Sequence, residues 1–329
     1  MRTCGSRIVA AAVIGVALCA AASAVPLELK LEEGKTYYVR MTVNQQIVQD
    51  MMGTKQTMHN DLGTMLKMDV LHVNDRGNMR IRSTYAGLLF KQAGPMANVE
   101  YDSVQSPTDA PSGAEGFAAL LNQSYTIELS RHGEVLDVNG VDELGEAVRK
   151  KLPAGSEGTP MMTNLTPFIS EGGITEISKG TFAVYTDQDV EPGDSWTTKT
   201  SMTLGPELHV ESKWTLEKRQ AGVATISRTS TVRSNPDSPP IDAGQMKLKF
   251  DLSGTEQSTI RLAEATGLIL MNRSTQQVKG NIQLATSADA APMMTVPITF
   301  ETASKIEMSD RMWPRDDAWG LRAESPGGM

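Results

Sequence analysis

Apolar and polar residues alternate along most of this chain, the period-two pattern that places every second side chain of a strand on one buried face. Tyr38, Arg40 and Thr42 alternate with Val39, Met41 and Val43, and similar runs cover Met65–Val73, Met79–Leu89, Tyr125–Leu129, Val223–Val232, Met246–Leu252 and Thr295–Ile306. Between such runs lie Asn74-Asp75-Arg76-Gly77, His132-Gly133 and Ala265-Thr266-Gly267, which read as hairpin connections. Helical spacing is confined to the middle. Gly116–Leu121 predicts a short helix, and Val141, Leu144, Val148 and Leu152 recur as the apolar stripe of a second, with Lys150 and Lys151 at its C-terminal end. Met161–Ile169 predicts a third, against the opposition of Pro167. Ser103–Ala114 and Ser234–Gly244 read as loops, and the tail after Asp310 as flexible.

Three groups of anchors recur in order in the two halves. Glu33-Gly34-Lys35-Thr36-Tyr37 corresponds to Pro192-Gly193-Asp194-Ser195-Trp196, each a turn followed by a strand that opens on an aromatic residue. Leu66–Val73, Gly77 and Met79–Thr84 correspond to Lys213–Lys218, Gly222 and Ala224–Thr229. Thr126–Leu129, Gly133 and Val135–Val138 correspond to Thr259–Leu262, Gly267 and Ile269–Met271. The expected fold class is mainly β (α+β): two related curved antiparallel sheets, an internal duplication, with a few helices between them. The expected segments are a leader over residues 1–24, a first repeat over 25–153, a helical or irregular linker over 154–188, a second repeat over 189–308 and a flexible tail over 309–329.

The leader alters the picture of the chemistry. Arg2 and Arg7 precede an apolar stretch from Ile8 to Ala22, too short for a stable membrane anchor, and Ala22 and Ala24 put small residues at −3 and −1 of a cut between Ala24 and Val25. The expectation is export, to the periplasm or beyond. The rival is a lipoprotein acylated at Cys19, which bulky Leu18 in the preceding position disfavours. Cys4 and Cys19 both lie in the leader, so cleavage leaves no thiol for a disulfide, a zinc site or a nucleophile. Loss of two arginines takes the formal charge from −8 to −10, which disfavours nucleic acid as a partner, and no later stretch is long enough for a transmembrane helix.

Candidate chemistry is sparse. None of His59, His72, His132 and His209 has a partner at zinc-ligand spacing, and the chain contains no nucleophile elbow, phosphate loop or dinucleotide fingerprint. No catalytic residue, metal or cofactor is therefore expected. Methionine is the outlier, 19 in all, with Met41, Met51, Met52, Met58, Met65 and Met68 gathered in the first strands. Thioethers can hold Cu(I), but flexible, polarizable methionine more readily builds a core or an adaptable apolar surface.

The segments LELKLEEGKTYYVRMTVNQQ, YTIELSRHGEVLDVNGVDEL, VEPGDSW and STIRLAEATGLILMNRS together resemble a bacterial secreted or lipoprotein family of unknown function whose members are β-rich, duplicated and exported. The likeness spans Leu27–Met308 and implies a fold without implying a reaction. More loosely, the pattern is similar to periplasmic lipoprotein carriers, in which a bent sheet wraps helices around an apolar cavity. The leading expectation is a non-enzymatic envelope protein that binds an apolar small molecule, a lipid or an envelope protein on a concave sheet face. The alternatives are a structural or assembly protein pairing through sheet edges and the Trp-bearing tail, and an envelope hydrolase with carboxylates assembled in space.

Overall fold

A computed structural model describes residues 25–51, 53–95, 98–152, 160–203, 206–243, 246–287 and 290–320. The leader, including Ala24, Cys4 and Cys19, lies outside the described residues, as does Met52.

The first half of the chain runs through β1 (Val25–Leu27), β2 (Thr36–Met51), β3 (Thr54–Val73), β4 (Met79–Ala93), β5 (Asn98–Asp102), β6 (Ser124–Leu129) and β7 (Val135–Asn139). Between and after these come α1 (Glu115–Leu120), α2 (Val141–Arg149), α3 (Pro160–Ile169) and α4 (Glu171–Phe182). The second half comprises β8 (Thr186–Val190), β9 (Ser195–Thr203), β10 (Glu207–Gln220), β11 (Val223–Ser234), β12 (Ile241–Ala243), β13 (Met246–Ala263), β14 (Ile269–Ala285) and β15 (Met294–Ser309). The mainly β class and antiparallel pairing agree with the alternation.

The two halves are not separate sheets. One antiparallel sheet runs β7-β6-β4-β3-β2-β15-β14-β13-β11-β10-β9, with β5 beside β4 and β12 beside β13, and β1 pairs with β8 apart from it. The seam is β2 with β15, in register from Tyr38↔Ser309 to Gln49↔Ile298. Pairing these two long strands covers two rows of backbone donors and acceptors that separate sheets would leave open.

The anchors repeated in the sequence hold matching places in this sheet. The β3–β4 register shifts between Val70 and His72, and the β10–β11 register between Leu216 and Lys218, while a further β3–β4 shift at Met65/Leu66 has no counterpart in β10–β11. Shifts in β6–β7 at Glu128/Leu129 and in β13–β14 at Arg261/Leu262 match in the same way. Gly34 and Gly193, at φ 77° and 100°, turn the chain into β2 and β9, a conformation that favours glycine. Their N–H groups donate to Val70 O (2.9 Å) and Leu216 O (2.7 Å).

One apolar cluster spans both halves, with Ile81, Ile127 and Leu129 from the first and Leu216, Ile226 and Ile260 from the second. The helices belong mainly to the first half. α2 turns Leu144 and Val148 inward, and Ser170 caps α4 by accepting from Gly173 N–H (3.2 Å). The doubtful helix over Met161–Ile169 does form as α3, Pro167 included. Gly173 packs so tightly on the Pro167 backbone that a β-carbon would overlap it.

The segment expected as a loose tail packs as far as Gly320. Trp319 is 7% exposed and clusters with Met65, Leu89 and Ala318, its ring lying where a β-carbon on Gly63 would intrude and within contact distance of one on Gly87. Arg40, 4% exposed, donates to Asp317 O, Ala318 O and Glu307, beneath the ring of Trp313. A buried guanidinium requires such partners, and the segment supplies them.

Candidate functional site

Cross-strand partners share a face of a sheet, so the register identifies which first-half side chains stand together. Tyr37, Met68, Ser83 and Tyr125 form one row, and Val39, Leu66 and Tyr85 the next. Above them lie Phe168 of α3 and Ile174, Ile177, Ser178, Thr181 and Phe182 of α4. Sheet and helices enclose a cavity of about 50 Å³. Its described lining is apolar apart from the hydroxyls of Thr64, Ser83, Tyr85, Tyr125, Ser178 and Thr181. That volume admits a few waters, well below the several hundred Å³ of a pocket for a drug-sized ligand.

Two tyrosines tie floor to roof. Tyr85 Oη donates to Phe168 O (2.7 Å) and fastens α3, and its ring lies 6.0 Å from that of Tyr125. Burial pushes the Tyr85 phenol well above its ordinary range, helped by the neighbouring Tyr125. Burial raises Tyr125 to about 12, although a hydrogen bond with Ser83 draws it partway back. Both phenols stay neutral across the physiological range. The site thus offers apolar surface and uncharged hydroxyls, suited to an apolar molecule with at most a neutral polar group.

Among the described residues the candidate methionines do not form one surface. Met41 and Met68 line the cavity, whereas Met65 faces the opposite side of the sheet and packs with Trp319. Met58 Sδ accepts from Gln92 Nε2 (3.3 Å), and Met51 is 37% exposed at a strand end. Val25 opens β1 opposite Val190, and its carbonyl accepts from Arg219 Nη2 (2.8 Å). The sequence reading missed Tyr85, Tyr125 and the α4 residues. Alternation does place Ser83 and Tyr85 on one face, but the covering helix is distant in sequence.

The histidines are dispersed. His72 Nδ1 lies 3.0 Å from Glu33, His209 Nε2 lies 3.8 Å from Glu207, and His132 Nδ1 is buried without a partner. His59 borders a polar trough of about 510 Å³ with Asn44, Asp61, Gln277 and Glu301. Among the described residues no group of three or more His, Cys, Asp or Glu side chains could hold a metal ion.

The corresponding rows in the second half differ in chemistry. Trp196, Trp214, Arg228 and Ser258 stand in one row, and Ser212, Ser230 and Glu256 in the next. The two indoles stack 6.1 Å apart, and Arg228 lies 5.0 Å over Trp214 while pairing with Glu256 and donating to Ser258 Oγ (2.9 Å). Charge and aromatic stacking occupy the positions that surround the cavity in the first half.

Residues 76–269 match the model of a family described as a family of unknown function, DUF6263. No curated protein matches the sequence. Among solved structures, the chain is similar to a lipovitellin described for its lipid–protein interactions, at 10% identity and a TM-score of 0.43, over 84% of this chain and 25% of that one. It thus spans a quarter of the lipovitellin chain. OpdQ of Pseudomonas aeruginosa aligns at 9% identity and a TM-score of 0.23, over 83% of this chain and 98% of its own. A DUF1329 family protein from Desulfovibrio piger aligns at 6% identity and a TM-score of 0.13, over 84% of each. Among the described residues no helix is long and apolar enough to cross a membrane.

Proposed function

The chain belongs to DUF6263, a family of unknown function, and we propose that it is an exported, non-enzymatic binding protein that takes an apolar ligand between the sheet of its first half and α3–α4. The observation that carries this reading is the cavity, apolar apart from neutral hydroxyls and roofed by two helices. Because the closed volume is small, a hydrocarbon chain enters only as α3 and α4 ride outward, and the ligand then replaces their contacts with the floor. Export rests on Arg2, Arg7, the Ile8–Ala22 stretch and the Ala22/Ala24 pair, with the leader removed before Val25. The same reading takes the two halves as copies of one unit, on the strength of their matching register shifts.

Titration with N-phenyl-1-naphthylamine, a fluorescent apolar probe, tests the proposal. Saturable binding is expected, weakened at least about tenfold by Ser178→Phe, which fills the cavity, and unchanged by Thr255→Ala in the polar trough. Absence of saturable binding, or equal binding by a folded Ser178→Phe variant, overturns it.

A further inference from the structure

The two ends of the sheet are finished differently. At one end β7 is five residues long and α4 packs against it. At the other, β9 pairs with β10 through nine consecutive residues, Ser195 to Thr203, without a bulge. No proline interrupts it, and its one charged side chain, Lys199, turns toward Glu211 (Nζ–Oε1 3.4 Å) on β10. α4 also packs against β9, whose one buried side chain, Trp196, lies at its start. A long, regular strand with one unpaired row of backbone groups is a template for another strand.

β2 shows how this framework covers such an edge. β2 and β9 both follow a glycine turn and pair with the next strand through matching residues, Tyr37↔Met68 and Trp196↔Trp214. Along its other side β2 carries the antiparallel β15 from Tyr38 to Gln49. Among the described residues β9 has no such neighbour.

We propose that β9 is a self-pairing edge, through which two copies of this chain join antiparallel about a two-fold axis and merge their sheets. Paired residues share a face, so keeping Thr198, Thr200 and Met202 on the face of Leu208 and Val210 requires the axis to pass through a residue. An axis at Lys199 opposes two ammonium groups, and an axis at Thr198 sets the buried Trp196 opposite Thr200 of the second copy and leaves Met202 and Thr203 without partners. An axis at Thr200 pairs threonine with threonine, sets Lys199 opposite Ser201 of the other copy, and uses the whole free stretch from Thr197 to Thr203. Pairing by a second copy also satisfies both open edges at once, which a single extended peptide does not.

Light scattering on the purified chain, with a cysteine cross-link at the axis, tests this. The wild type is expected to scatter at twice the chain mass. Ser201→Pro, which removes a backbone donor on the open side of β9, and Thr200→Lys, which opposes like charges, are expected to halve that mass while keeping the β circular dichroism spectrum. In a background carrying Cys4→Ser and Cys19→Ser, Thr200→Cys is expected to form a disulfide-linked dimer on oxidation, since opposed α-carbons about 4.5–5.5 Å apart meet the geometry of a disulfide. A monomeric wild type, a dimer that survives both folded Ser201→Pro and Thr200→Lys variants, or failure of the cysteine to cross-link overturns the proposal. Probe binding in the first-half cavity is read separately, so neither proposal rests on the other.

Discussion

The strand runs β2-β3-β4-β6-β7 and β9-β10-β11-β13-β14 of the one sheet lie under two kinds of cover. In the first, the row Tyr37–Met68–Ser83–Tyr125 lies beneath α3 and α4, and a cavity remains between them. In the second, the matching row Trp196–Trp214–Arg228–Ser258 is held by stacked indoles and a guanidinium paired with Glu256. Shared register therefore dictates where side chains stand but not whether a void remains above them. The second row is filled by large, interlocked side chains, whereas beneath α3 and α4 a void of about 50 Å³ remains.

The largest test of that contrast is Trp214→Ala. Trp214 is 2% exposed, and truncating it is expected to cost about 3–5 kcal/mol in urea unfolding, whereas Met68→Ala beside the existing cavity should cost about 2–3 kcal/mol. Equal losses would remove the distinction. Next, Glu256→Ala strands Arg228, whose side chain is 12% exposed, and should cost about 3 kcal/mol. Replacing both partners, Arg228→Met with Glu256→Leu, should restore stability to within about 1 kcal/mol, and a double variant as weak as the single one would contradict a buried ion pair.

The third test is alkaline pH. Tyr125 holds its proton to about 12 in the fold, against about 10 when unfolded, so its contribution is intact below pH 10 and is lost as pH rises from 10 to 12. At pH 11 this amounts to about 1 kcal/mol, and Tyr125→Phe should flatten the decline measured by denaturant titration. The smallest effect is Tyr85→Phe, which removes the bond to Phe168 O and should cost about 1 kcal/mol while speeding amide exchange in α3 and α4. Unchanged exchange there would mean that the roof is held by apolar contact alone.

Much of the local architecture was legible in the residues. Alternation identified the strand runs because each side chain's face depends only on its neighbours, and Gly34, Gly77, Gly133 and Gly267 marked turns because each sits at positive φ. Glu33–Tyr37 and Pro192–Trp196 each proved to be a glycine turn into a strand, which is readable because turn and strand-entry chemistry is local. The site was only partly legible. Among the described candidate methionines Met41 and Met68 reach the cavity, and its tyrosines and α4 residues went unread because their importance depends on what covers them.

The sequence by itself determined strand, turn and helix, and which face of each strand is apolar, through preferences acting over a few residues. Tertiary structure alone decided that β2 joins β15 into one sheet, that Trp319 fills the space over Gly63 and Gly87, and that α3 and α4 roof the first half. An apolar face states that it must be covered without stating by what, and that choice is made by shape and register between segments far apart in the chain.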